Sequence, residues 1–200
     1  MRSINPTMGV RYSRIELRDI ALSVMVLSVA FAIMFVRNGS NLEIWELLAI
    51  SAVVVCASFV VHELGHKFTA QRYGAWAEYR MFPTGLMIAL LLSFAGVIFA
   101  APGAVYISGR IDTKMNGKIS AAGPAVNIVL GITAFALSLT TTGIISSVFG
   151  IMASINAFFA IFNMIPIMPF DGSKIYRWNV PVYLIMLTVS AVLLAVVWFL

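Results

Sequence analysis

Five apolar stretches, 20–36, 44–66, 119–139, 144–165 and 181–200, take up about half of this 200-residue chain. Each is close to the roughly 20 residues a helix needs to cross a bilayer. In lipid a spanning backbone finds no water, so it must close its own hydrogen bonds, and helices do that within one segment. The reading is an α-helical polytopic membrane protein with about five to six transmembrane helices. The count turns on 85–101, which is apolar but punctuated by Gly85, Gly96 and the Pro102-Gly103 pair.

Composition agrees: 61% of residues are hydrophobic and 10% charged, against about 45–50% and about 25% in soluble domains. At this length we expect a single membrane-embedded domain, 1–200, with no appended soluble domain and its core at 44–174. The formal net charge of +5 does not point to nucleic acid, because the basic residues flank apolar spans and form no long run with interleaved aromatics. The first span starts after Asp19 and no small-residue cleavage pattern follows, so it reads as retained. Cys56 is the only cysteine, which excludes an internal disulfide and a cysteine-based zinc knuckle. It reads as a small apolar filler, and no internal repeat or low-complexity stretch is visible.

Charge also orients the chain. Arg2, Arg11, Arg14 and Arg18 precede the first span, whereas the next link sets Arg37 against Glu43 and Glu46, so the amino terminus is expected in the cytoplasm. Lys67, Arg72 and Arg80 follow the second span, Arg110, Lys114 and Lys118 precede the third, and Lys174 and Arg177 follow the fourth. All belong on the cytoplasmic side, and the uncharged turn 140–143 on the other. For 67–80 and 104–118 to share a face, the segment 81–109 must enter and leave by the same side. We read it as a small re-entrant segment, partly strand-like at 104–107, between the second and third long spans. Irregular backbone at that depth must line protein or a water-filled cavity.

The only two histidines stand in His62-Glu63-Leu64-Gly65-His66, at the end of the second span. At about 100° per residue they lie within about 40° of each other on one helical face, so both imidazoles can ligate one ion. Glu63, about 60° from His66, can act on a water at that ion. Ionisable side chains at membrane depth cost about 2.5–3.5 kcal/mol each and are functional by default.

A catalytic zinc takes three protein ligands and keeps one position open, so the third ligand here must be a carboxylate. Glu78 and Asp112 sit among basic residues in expected loops and read as solvated acids. Asp171 follows Pro166 and Pro169 at the end of the fourth span. Two prolines three apart must unwind that helix, which allows Asp171 to turn back toward the histidines, and Gly172 permits a tight turn after it. A helix stop with a solvated Asp171 is the plainer alternative.

Taken together, His62-Glu63-Leu64-Gly65-His66, then Gly123-Pro124-Ala125-Val126-Asn127, then Asn163 through Pro166 and Pro169 to Asp171-Gly172, resemble the site-2 protease family of intramembrane zinc metalloproteases. The resemblance covers about 62–174. It implies His62, His66 and Asp171 as ligands of one Zn²⁺, Glu63 as catalytic acid/base, and transmembrane proteins as substrates cleaved in or near the bilayer. It further implies a multi-pass protein, placed here in the cell membrane with the active site toward the cytoplasm. We expect a compact member, without the inserted peptide-binding domain or the appended nucleotide-sensing domain of some members. Nothing in the sequence names the substrate, the regulator or the oligomeric state.

Asn127 and Asn163 are amides in apolar spans: interhelical glue worth about 0.6–2 kcal/mol, or donors to substrate backbone or the developing oxyanion. Gly123-Pro124 reads as the start of the third span, since proline fits a first helical turn. A strand edge near 104–108 could receive an extended substrate segment. A membrane metal-binding protein or transporter also explains buried ligands, but does not require Glu63 beside them or supply a continuous polar path. A membrane protease with a helical Glu ligand further downstream is opposed by the lack of any Glu after Glu78.

Overall fold

The computed structural model describes residues 12–98 and 101–199. Arg2 and Arg11, counted above toward a cytoplasmic amino terminus, lie outside them. In chain order the elements are α1 (Arg14–Arg37), α2 (Ile44–Val55), a π-helical turn (Cys56–Val60), α3 (Val61–Arg72), β1 (Trp76–Met81), α4 (Pro83–Ser93), β2 (Gly103–Ser108), α5 (Thr113–Thr140), α6 (Gly143–Asn163), α7 (Asp171–Trp178) and α8 (Val180–Phe199). Among the described residues, five helices are long and apolar enough to cross a membrane: α1, the continuous run Ile44–Arg72, α5, α6 and α8. This is a multi-pass helical membrane protein with a two-stranded sheet.

Its polarity is inverted relative to a soluble bundle. Large apolar side chains such as Val53, Leu91, Val129, Leu139, Ile185 and Val192 are exposed, which suits a lipid-facing surface. Inside, α1 buries Glu16, Asp19 and Ser23 at helical spacing. Burying the polar stripe works because the sheet supplies its hydrogen-bond partners. Lipid drives no helices together by hydrophobicity, so close packing must do it. A side chain on Gly65 of α3 would press on the Ala122 carbonyl of α5 at 3.1 Å, and one on Gly131 would meet Leu193 of α8 at 2.8 Å.

The segment between the second and third spans folds back on itself. β1 and β2 pair antiparallel from Trp76↔Ser108 to Met81↔Gly103, so the chain leaves this segment beside the point where it entered. Between the strands, α4 has 11 residues, about 16 Å at 1.5 Å per residue, against a hydrocarbon core of about 30 Å. Its tip nonetheless reaches far along α1. Asn38, just past the far end of α1, donates to Gly96 O at 3.1 Å, whereas β1 meets α1 at its first turns. An apolar cluster of Leu27, Phe31, Val55, Phe59, Tyr79, Leu86 and Ala89 packs the hairpin onto α1 and the π-helical turn.

Three local expectations change. The strand expected at 104–107 extends to 103–108 and has a partner, β1, in what reads as a loop by charge. Glu78 therefore sits on a strand, where it pairs with Arg80 and accepts from Ser13 Oγ at 3.2 Å. Pro124 lies well inside α5, which begins at Thr113 behind an Asp112 N-cap bonded to Met115 N–H at 2.7 Å. Cys56 is exposed, in the π-helical turn, not a core filler.

Candidate metal centre

α3, α5 and α7 build the site. His62 and His66, one turn apart on α3 and both buried, bring their Nε2 atoms to 3.0 Å. Asp171 Oδ2 stands 3.1 Å from Nε2 of His66 and 3.6 Å from Nε2 of His62. A tetrahedral zinc with bonds of about 2.0–2.2 Å separates its ligand atoms by about 3.3–3.6 Å. The three observed edges fall close to that span, so the set fits one such ion with a fourth position to spare. Among the described residues this is the one cluster of its kind.

The tautomers follow from backbone chemistry. Met152 O and Ser58 O can only accept, so Asn156 Nδ2 turns to the first at 2.9 Å and Asn127 Nδ2 to the second at 2.9 Å. Asn156 Oδ1 then receives the other Asn127 N–H at 2.8 Å, and its remaining N–H goes to Ser58 Oγ at 2.8 Å. Asn127 Oδ1 is left facing His62 Nδ1 at 2.5 Å. That nitrogen must donate, which frees Nε2 of His62 for a metal. His66 Nδ1 donates likewise to Ile119 O at 2.8 Å. Pro124 has no N–H for the Ser120 carbonyl, which loosens the α5 ladder beside that acceptor.

Two glycines make room. A Cβ on Gly123 would collide with the rings of both His62 and His66. One on Gly172 would strike the Met164 carbonyl where α6 ends, so Gly172 serves close approach and not the tight turn expected for it. Residues 165–170 leave the helix, as the two prolines require, and Asp171 is the first residue of α7. Its Oδ1 faces Lys174 Nζ at 3.5 Å. Burial alone would push the Asp171 carboxyl up, and positive charge on His66 and His62 beside it would hold it below the usual carboxylate range.

A cavity of about 430 Å³ opens on this cluster. Glu63 lines it beside His62, His66 and Asp171, and Glu63 Oε2 is buried with no protein hydrogen-bond partner. Its lining includes the apolar Phe59, Phe159, Phe162 and Phe170, the polar Asn116, Ser120, Asn163 and Lys174, and Gly103 to Val105 of β2. Asn163 therefore reaches the cavity, whereas Asn127 is fully buried behind His62. Glu78 and Asp112 are not part of the metal cluster. Ser58, Asn156 and Lys174 escape a reading by motif, and Gly123, though part of one, is read there only as a helix start. Asn156 carries the same signal as Asn127, an amide in an apolar span.

A family model, peptidase family M50, matches residues 138–183. A relative from Methanocaldococcus jannaschii assigned as zinc metalloprotease MJ0611 is 40% identical over 173 residues, covering 84% of this chain and 87% of its own length. Rip3 of Mycobacterium tuberculosis, also assigned as a zinc metalloprotease, is 33% identical over 66% of this chain and 31% of its own length. A second Methanocaldococcus jannaschii protein, zinc metalloprotease MJ0392, is 28% identical over 82% of this chain and 41% of its own length. No solved structure gives a significant match.

Proposed function

Because the chain belongs to peptidase family M50 and is a zinc metallopeptidase, we propose that it hydrolyses peptide bonds in or near the transmembrane segments of other membrane proteins. One observation carries the proposal: His62, His66 and Asp171 converge with Glu63 on a water-sized-to-peptide-sized cavity inside a helical membrane body. Zinc, when bound, supplies Lewis acidity and lowers the pKa of water toward about 7. Glu63 takes the proton of the attacking water, the scissile carbonyl carbon becomes tetrahedral, and Glu63 returns the proton to the amide nitrogen as the C–N bond breaks. Asn163 donates one N–H to Phe159 O at 2.9 Å and carries a second that suits the oxyanion.

A helical substrate hides its carbonyls, so it must unwind to reach the cavity. The outward amides of Gly103 and Ile107, on either side of Val105 at the edge of β2, offer the extended segment a place to lie by strand addition. Arg80 of β1, Lys118 at the start of α5 and Lys174 of α7 lie on the elements next to the site, which supports an active site facing the cytoplasm.

The deciding experiment is Glu63→Gln, which keeps shape but cannot accept a proton. The purified variant should hold zinc as wild type does and lose cleavage of a transmembrane reporter by at least about 100-fold. Near wild-type cleavage would end the protease reading. Zinc movement across liposomes by a wild type that cleaves nothing would favour a transporter.

A further inference from the structure

Glu16 and Lys67 form an ion pair at the protein's interior, with side chains 0% and 1% exposed. The chemistry proposed above uses neither. Glu16 spends its other oxygen, Oε1, on the backbone N–H of Tyr79 in β1 at 3.0 Å. Lys67 lies one helical turn beyond Glu63 on α3, with its Nζ 4.0 Å over the Tyr12 ring. Such a pair is expensive to bury and weak evidence of stabilisation in itself, so its placement needs another reason.

The sheet register supplies it. Tyr79 pairs with Val105, and the Tyr79 N–H points away from β2, toward Glu16. Two residues on, the Met81 N–H does the same toward Asp19 Oδ2 at 3.4 Å. In an antiparallel ladder both amides of such a pair turn outward, in opposite directions. The Val105 N–H is therefore turned off the free edge of β2, on the side where Val105 and Glu63 line one small cavity. Tyr79 and Val105 make a crossbar: one amide is bonded to Glu16, and the other turns outward on the strand that shares a small cavity with Glu63. Lys67 closes the loop, since it holds Glu16 and shares a helical face with Glu63. A pinhole cavity of about 10 Å³ lies at the centre, lined by Glu16, Glu63, Lys67, Tyr79 and Val105 among others.

We infer that Glu16 is a positioning residue for Glu63: by fixing β1 against α3 it sets the Val105 N–H that orients the Glu63 carboxylate. The inference rests on Glu63 being the acid/base.

Two double variants separate the acceptor from the charge. Glu16→Gln/Lys67→Met removes the ion pair but keeps an oxygen for the Tyr79 N–H. Glu16→Met/Lys67→Met removes both, with an apolar pair that buried sites commonly accept without unfolding. In detergent, with a transmembrane reporter and zinc measured in parallel, the Gln/Met protein should keep kcat within about threefold of wild type. The Met/Met protein should lose kcat by about 10- to 100-fold, with KM and zinc content unchanged, as a misplaced group predicts. Equal kcat in the two doubles overturns the inference, and so does a Met/Met protein that fails to fold or loses zinc, since Glu16 is then a structural staple. Glu63→Gln is run beside them. If it cleaves, the acid/base reading falls; if it is inactive while the doubles match each other, only the role of Glu16 falls.

Discussion

Asp171 gives one carboxylate oxygen to two imidazoles and the other to Lys174, so truncating it takes the only carboxylate from the proposed metal cluster and strands a partly buried cation. Asn127 acts one bond further out, through His62 Nδ1. Losing an outer partner of this kind costs about 10–100-fold in metal affinity, and losing the ligand itself costs more. Chelator competition on purified protein should rank Asp171→Ala below Asn127→Ala, with both below wild type. Glu78→Ala and Asp112→Ala should match wild type, because one loses a partly exposed pair with Arg80 and the other a helix cap. Equal zinc affinity in wild type and Asp171→Ala would remove Asp171 from the site.

At the scale of elements, the eight-residue α7 has to present its first residue to two side chains on α3. It cannot do so by its own hydrogen bonds and is instead wedged in place. Gly172 lets it abut the end of α6, Gly117 of α5 accepts Trp178 at its other end, and Tyr183 of α8 bonds Met164 O at 3.0 Å. A methyl on Gly172 would meet backbone, which cannot rotate aside. Gly172→Ala should therefore shift α7 and weaken zinc binding by about tenfold or more, at a stability cost of about 1–3 kcal/mol from overpacking. Wild-type affinity in a folded Gly172→Ala protein would show that Asp171 reaches the histidines without that contact.

For the molecule as a whole, the hairpin 76–108 decides parity. Its strands return to the end that holds the metal site, while Gly96 reaches the far end of α1 beside Asn38. α5 and α6 then go out and back, so His66 and Asp171 meet at one end. In a Cys56→Ala background, single cysteines at 80 and 112 should label from the cytoplasmic side only, and a cysteine at 96 from the outside. Labelling of 112 from outside would require an odd number of crossings between His66 and Asp171 and would break the proposed topology.

Much of this was legible before any coordinates. Span lengths and the obligation to close backbone hydrogen bonds in lipid dictate the five long helices. The i, i+4 spacing of His62 and His66 puts them on one face, and two prolines before Asp171 demand the break that turns it inward. What the chain could not announce are relations between elements. β1 hides because Glu78 and Arg80 look like a charged loop until β2 pairs with it. Pro124 looks like a helix start because its gap at Ser120 matters only once His66 bonds to Ile119 next door. Gly123 is small because two imidazoles from another helix occupy its side-chain space. Glu16 and Lys67 lie 51 residues apart, and only β1, packed against both α1 and α3, brings them together in the interior, where each charge needs the other in the absence of water.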